Sequence, residues 1–288
     1  MTDLDSQAVS SADGTRVEYL SVGRGPGVIV VPGALAVAAD LADFAALLAS
    51  RHTVHVMQRR GRGGSGPQGE RYGIARECED VETVRARTGA RLIFGHSFGG
   101  LVALRVACGG ALGGGGASGG GGAGFDAVAV YEPGVSVSGS IPADWVDRAR
   151  REMSADEDFE AFLTFVRGVN PSQTGRVPRW ILRLILRRAI SPAELRQNLA
   201  LMPQAINEHS EVGLLDGRLA DYREIDAASL IMRGRGRATG RQAVALATLA
   251  GTIPHASAMT FSDLDHFAPE KEPGKVAEAV LRFFAAHV

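Results

Sequence analysis

The segment from Arg91 to Ala107 constrains the fold more than any other. Arg91-Leu92-Ile93-Phe94 is a short apolar run of strand type, Phe98 to Ala107 carries a helical pattern, and the junction reads Gly95-His96-Ser97-Phe98-Gly99-Gly100. A G-x-S-x-G sequence by itself is weak information. Placed where a strand stops and a helix begins, it specifies a sharp turn that pushes the serine clear of the strand end. Small residues are needed there because the turn is strained and backbones approach closely. The following helix turns its first amides toward whatever binds at the serine. Ser97 is therefore the candidate nucleophile.

Around this unit, short β-rich runs alternate with helical patterns, which predicts an α/β fold with a mostly parallel sheet covered by helices on both faces. Val28-Ile29-Val30-Val31, ended by Pro32-Gly33, reads as a buried strand. Ala39 to Ser50 reads as an amphipathic helix, Thr53 to Met57 as a strand, and Arg76 to Thr88 as a charged, surface-facing helix. Ala127 to Tyr131, Ser229 to Met232 and Ser257 to Thr260 supply further strands, and Ala277 to His287 a closing helix.

Two stretches break the alternation. Gly109 to Gly124 holds 11 glycines in 16 residues, a composition that reads as a flexible surface loop with no chemistry of its own. The long interval between Tyr131 and Ser229 is helical in pattern, with a cap signal at Ser191-Pro192, and is expected to be a lid over the strand ends. The domain expectation is a core from 1–136 and 226–288 with a helical lid at 137–225.

Composition excludes several classes. Formal charge is −1, so no basic field points to nucleic acid or an anionic membrane. Of 31 basic residues only Lys271 and Lys275 are lysine, which argues against a Schiff-base lysine, and no G-x-x-x-x-G-K-[ST] loop is present. Two cysteines, Cys78 and Cys108, supply neither a four-thiolate zinc site nor a disulfide framework. The polar start, Met1 to Gly14, lacks a signal-peptide pattern, and no run of about 18 apolar residues suggests a membrane span. The expectation is a cytoplasmic protein acting on a small-molecule substrate.

The element order, the serine elbow and a late histidine resemble the α/β-hydrolase fold family, and the resemblance runs from about Val17 to Val288. Pro32-Gly33-Ala34 stands where that family usually has a His-Gly-x oxyanion turn; Pro32 replaces the His, but the backbone donor survives. Arg60-Gly61-Arg62-Gly63-Gly64-Ser65 matches the family's R-G-x-G-x-S turn, whose role is mainly architectural. Asp265-His266-Phe267 matches the turn that carries the catalytic base.

The resemblance implies a Ser97–His266 pair, with oxyanion donors at the Phe98 and Ala34 amides. The usual acid is missing, since no carboxylate lies between Asp226 and Asp263. Glu132, at the end of the preceding strand, takes its place as the expected acid. Asp263, Asp265 or no acid at all are the alternatives, and Glu132 could instead cap a turn or pair with an arginine. Trp145 and Trp180 are candidates to line an acyl pocket, or simply to pack the lid. The implied activity is hydrolysis of an ester, thioester or lactone through an acyl-enzyme, with no metal or organic cofactor. A serine at the elbow argues against haloalkane dehalogenase and epoxide hydrolase chemistry, which use a carboxylate there. Carbon–carbon and amide bond hydrolysis and perhydrolysis reuse the same triad and stay open. So does a non-hydrolytic or ligand-binding relative, suggested by Pro32 and the missing acid.

Overall fold

The computed structural model describes residues 5–109, 124–235 and 240–287. The glycine-rich stretch falls outside them from 110 to 123. Among the described residues, eight strands form one sheet: β1 (Asp5–Ser10), β2 (Arg16–Gly23), β3 (Gly27–Val31), β4 (Thr53–Gln58), β5 (Leu92–His96), β6 (Ala127–Tyr131), β7 (Ala228–Arg233) and β8 (Ala256–Thr260). Their order is β1-β2-β4-β3-β5-β6-β7-β8. The β1/β2 and β2/β4 pairs are antiparallel, and every later neighbour is parallel.

The helices follow the same chain order. The first half supplies α1 (Ala42–Leu48), α2 (Ile74–Thr88) and α3 (Phe98–Ala107). Between β6 and β7 come α4 (Val146–Ser154), α5 (Asp158–Val169), α6 (Pro171–Thr174), α7 (Arg179–Ala189), α8 (Pro192–Ala200) and α9 (Met202–Leu214). Then α10 (Gly240–Thr252) precedes β8, while α11 (Ala268–Lys271) and α12 (Gly274–Ala285) close the chain.

The strands read as unbroken apolar runs because both faces of the sheet are covered. Alternate side chains divide between two cores. Val28, Val30, Leu92, Phe94 and Ala129 pack with Phe44 of α1 and with Val280 and Phe284 of α12. Ile29, Val31, Ile93, Val128 and Val130 pack on the other face with Val81 of α2, Leu101 of α3 and residues of α4, α5 and α9. The parallel central strands thus end together, and the loops beyond β3, β5 and β6 meet at one edge of the sheet, where ligands of such sheets bind.

One hairpin has no counterpart in the sequence reading, and one local reading needs correction. The N-terminal hairpin of β1 and β2 carries no strong sequence signal, because β1 is an edge strand whose residues, Asp-Ser-Gln-Ala-Val-Ser, need not bury a face. Helix α2, expected to face solvent, buries Ile74, Cys78, Val81 and Val84 together with two carboxylates, Glu77 and Asp80. Those carboxylates look like surface charges in sequence, but each meets a buried arginine: Glu77 lies 2.9 Å from Arg59 and Asp80 2.7 Å from Arg60.

Candidate active site

The elbow is built from backbone proximity. Ser97 takes φ +53° and ψ −119°, a strained conformation for a residue with a side chain. A side chain at Gly95 would overlap the Gly99 carbonyl, and one at Gly99 would overlap the Val31 carbonyl. Both glycines are therefore sterically required, as the sequence pattern implied. The turn is tied to its neighbour strand: the Ser97 amide donates to the Tyr131 carbonyl at 3.0 Å, and the Gly134 amide to the Ser97 carbonyl at 2.7 Å.

Glu132 follows β6 directly, is 1% exposed, and also has positive φ, at +43°. Its Oε2 lies 2.6 Å from His266 Nδ1, and its Oε1 accepts the Gly234 amide at 2.9 Å. Where no carboxylate follows β7, the chain supplies an amide to a carboxylate brought from the end of β6. Gly234 suits this place, since a Cβ on it would lie 2.5 Å from the Tyr131 hydroxyl. The alternative acids are engaged elsewhere. Asp263 pairs with Lys275, and Asp265 Oδ1 accepts the Phe267 amide at 2.8 Å.

The loop carrying His266 is fixed by partners that sequence reading did not identify. The Tyr131 hydroxyl donates to the Asp265 carbonyl at 2.6 Å. His96 Nε2 donates to the His266 carbonyl at 2.8 Å, and His96 Nδ1 lies 2.7 Å from Glu270 Oε1 of α11. No spacing in the sequence points to these contacts, since His96 and His266 stand 170 positions apart and Glu270 meets His96 rather than its near neighbour His266.

The Pro32-Gly33-Ala34 turn lies against the elbow, with a Cβ built on Gly33 falling 3.3 Å from Ser97 Cβ. Phe98 opens α3, and amides in a first helical turn have no intrahelical acceptor. One expected oxyanion turn thus meets Ser97 through Gly33, and the other expected donor residue, Phe98, follows Ser97 directly.

A model of the alpha/beta hydrolase family matches residues 28–279. The chain belongs to the alpha/beta hydrolase family. No curated protein matches this alpha/beta hydrolase, but solved structures do. An alpha/beta hydrolase from Sphaerobacter thermophilus is 27% identical, with a TM-score of 0.79 over 96% of this chain and 100% of that one. An esterase from Rhodococcus sp. is 18% identical (TM-score 0.69; 99% of this chain, 100% of that one). The enol-lactonase from Burkholderia xenovorans is 17% identical (TM-score 0.68; 97% of this chain, 100% of that one). The last two likenesses are of fold alone.

Other parts of this alpha/beta hydrolase bear on the chemistry. Burial pushes the Cys108 thiol up to about 12 and holds Cys78 well above the usual thiol range, so neither is a thiolate at neutral pH. Among the described residues, no group of three or more His, Cys, Asp or Glu is arranged to hold a metal. No helix among them is long and apolar enough to cross a membrane. The two tryptophans are placed differently from each other. Trp145 packs edge-on against Phe165 at 5.4 Å and beside His209 at 5.3 Å, and its indole donates to the Pro142 carbonyl at 2.9 Å. Trp180 is 66% exposed on α7. These contacts describe helix packing for one ring and a solvent-facing position for the other.

Proposed function

We propose that this alpha/beta hydrolase is a serine hydrolase that cleaves a small-molecule ester, thioester or lactone through an acyl-enzyme on Ser97. The observation that carries the reading is the 2.6 Å contact between His266 Nδ1 and the buried Glu132 carboxylate. A carboxylate on Nδ1 keeps that nitrogen protonated and leaves Nε2 as the basic one, the tautomer a general base needs.

In this reading, His266 Nε2 takes the Ser97 hydroxyl proton as Oγ adds to the substrate carbonyl. The negative charge that develops on oxygen is met by the Ala34 and Phe98 amides, which are fixed dipoles and need no reorientation. His266 then gives its proton to the departing alcohol, thiol or ring oxygen, and the acyl group stays on Ser97. Water, deprotonated by His266, then adds to the acyl carbon; the bond to Ser97 Oγ breaks as His266 returns the proton to Oγ, and the acid is released. Glu132 stabilises the imidazolium in both halves without itself changing protonation.

The helices from α4 to α9, within residues 137–225, are proposed as the lid. Support comes from their contacts with the loops beyond β3 and β4. Gln197 of α8 donates to Asp40 at 2.7 Å, and Glu208 of α9 lies 2.7 Å from Arg62.

The test is fluorophosphonate labelling followed by intact mass, beside hydrolysis of a short-chain p-nitrophenyl ester. Wild type should gain one adduct, and Ser97→Ala and His266→Ala should gain none. A folded wild type that neither labels nor turns over ester would sink the hydrolase reading in favour of a non-hydrolytic role.

A further inference from the structure

The R-G-x-G-x-S turn after β4 holds two arginines, Arg60 and Arg62, and a third, Arg59, immediately precedes it; the three do different things. Arg60, the first residue of the motif, turns toward Asp13 of the N-terminal hairpin and Asp80 of α2, each 2.7 Å away. Arg59 and Arg62 turn the other way, into the loop that follows β3. The Arg59 side chain is fully buried, with Nη1 donating to Glu77 at 2.9 Å and Nη2 lying 3.0 Å from Glu208. The same Nη2 donates to the Gly33 carbonyl at 2.9 Å. The guanidinium also sits over the Phe98 ring, 4.9 Å from its centroid. One cation therefore touches Phe98 and the carbonyl of the Gly33–Ala34 peptide, the two units whose amides are the proposed oxyanion donors.

Peptide geometry gives this contact a consequence. The Gly33–Ala34 bond is trans, so the Ala34 N–H points opposite to the Gly33 C=O. Anchoring that carbonyl on a guanidinium fixes the peptide plane and hence the direction of the amide. A charged donor on the carbonyl also polarises the peptide unit, making its N–H a better donor. Arg62 continues the grip, with Nε donating to the Ala36 carbonyl at 3.0 Å and Nη2 to the Ala34 carbonyl.

Two buried carboxylates balance the two guanidinium charges, Glu77 from α2 and Glu208 from α9. Buried ion clusters are weak contributors to stability, because desolvation offsets most of the attraction. What a guanidinium supplies that an apolar core would not is a planar fork able to bond several acceptors at once.

We propose that Arg59 is a positioning residue for oxyanion stabilisation, aligning the Ala34 amide through the Gly33 carbonyl. Glu208 links that alignment to α9. The proposal rests on the serine-hydrolase reading and extends it to the lid: whatever displaces α9 removes a counter-charge from the group that holds the oxyanion loop.

The experiment compares Arg59→Lys with Arg60→Lys, using p-nitrophenyl acetate kinetics, fluorophosphonate labelling and thermal melting. Lysine keeps the charge at 59 but lacks the planar fork whose two nitrogens reach Glu77 and Gly33 separately. The expected result is a fall in kcat of about 10-fold to 100-fold with KM nearly unchanged, as for a donor displaced by a fraction of an ångström. Arg60→Lys loosens a buried ion pair in the same turn, so it should lower the melting temperature while leaving kcat close to wild type. An Arg59→Lys protein with wild-type kcat, or one whose loss only matches its unfolded fraction, overturns the proposal. If that variant does not accumulate folded, Glu208→Gln decides: kcat lower by about 10-fold at constant KM supports the link, and unchanged kcat overturns it. A wild type that does not label overturns the serine reading and this proposal together, whereas a labelled wild type isolates the fate of Arg59.

Discussion

His96 Nε2 donates to the backbone carbonyl of His266 at 2.8 Å, so the residue just before Ser97 holds the loop that carries the proposed base. The two imidazole rings are 4.8 Å apart between centroids, and Glu270 lies on the far nitrogen of His96. Strand β5 thus contributes twice to one site, through the serine elbow and through a clamp on a segment 170 residues later.

Truncating this clamp should slow the reaction without removing any reacting group. His96→Ala is expected to lower kcat by about 10-fold to 100-fold, the scale of a small misplacement of a catalytic group. It also leaves Glu270 without its imidazole partner, so the melting temperature should fall. Unchanged kcat in a folded His96→Ala protein would show that Tyr131 alone is enough to hold the loop.

Glu132→Gln is expected to reduce kcat by about 10³-fold to 10⁴-fold with little change in melting temperature. The amide has nearly the same shape and its oxygen can still accept from Gly234. It can no longer stabilise an imidazolium, and its NH₂ can force the wrong tautomer on His266. Wild-type-like turnover would remove Glu132 from the proposed triad.

Gly99→Ala should prevent or severely weaken folding rather than tune activity. The added Cβ would overlap the Val31 carbonyl and lie 2.5 Å from the Pro32 carbonyl, both backbone atoms that cannot swing away. A loss of ~3 kcal/mol or more is expected, read from the urea midpoint. A near-native midpoint would mean that α3 can draw away from the end of β3 at little cost.

Burial lowers the pKa of His52 and of His55 from the ordinary 6.5. Below about pH 6.5 the unfolded chain therefore binds more protons than the folded one, and stability falls as pH drops until the lowered folded values are passed. The His55→Gln variant should lose less melting temperature than wild type between about pH 7.5 and about pH 5.5. An equal loss in both proteins would place the acid sensitivity elsewhere. Gln is chosen because it can still bond the Ser21 hydroxyl, which lies 2.9 Å from His55 Nδ1.

What the sequence determined by itself is local. Strand runs such as Val28 to Val31 and the elbow glycines were legible because backbone sterics and side-chain periodicity act over a few residues. The resemblance then placed Ser97 and His266 and made Glu132 the expected acid. Charged residues were harder. Glu77 and Asp80 on α2 have the spacing of a solvated face, and the arginines of the R-G-x-G-x-S turn read as architecture alone. Only the tertiary structure decided which charges were buried and against what: Glu132 with His266 across 134 residues, and Glu208 with Arg62 across 146. Such pairings leave no periodic trace in a single sequence, because a buried charge is stable only through a partner that folding brings from elsewhere in the chain.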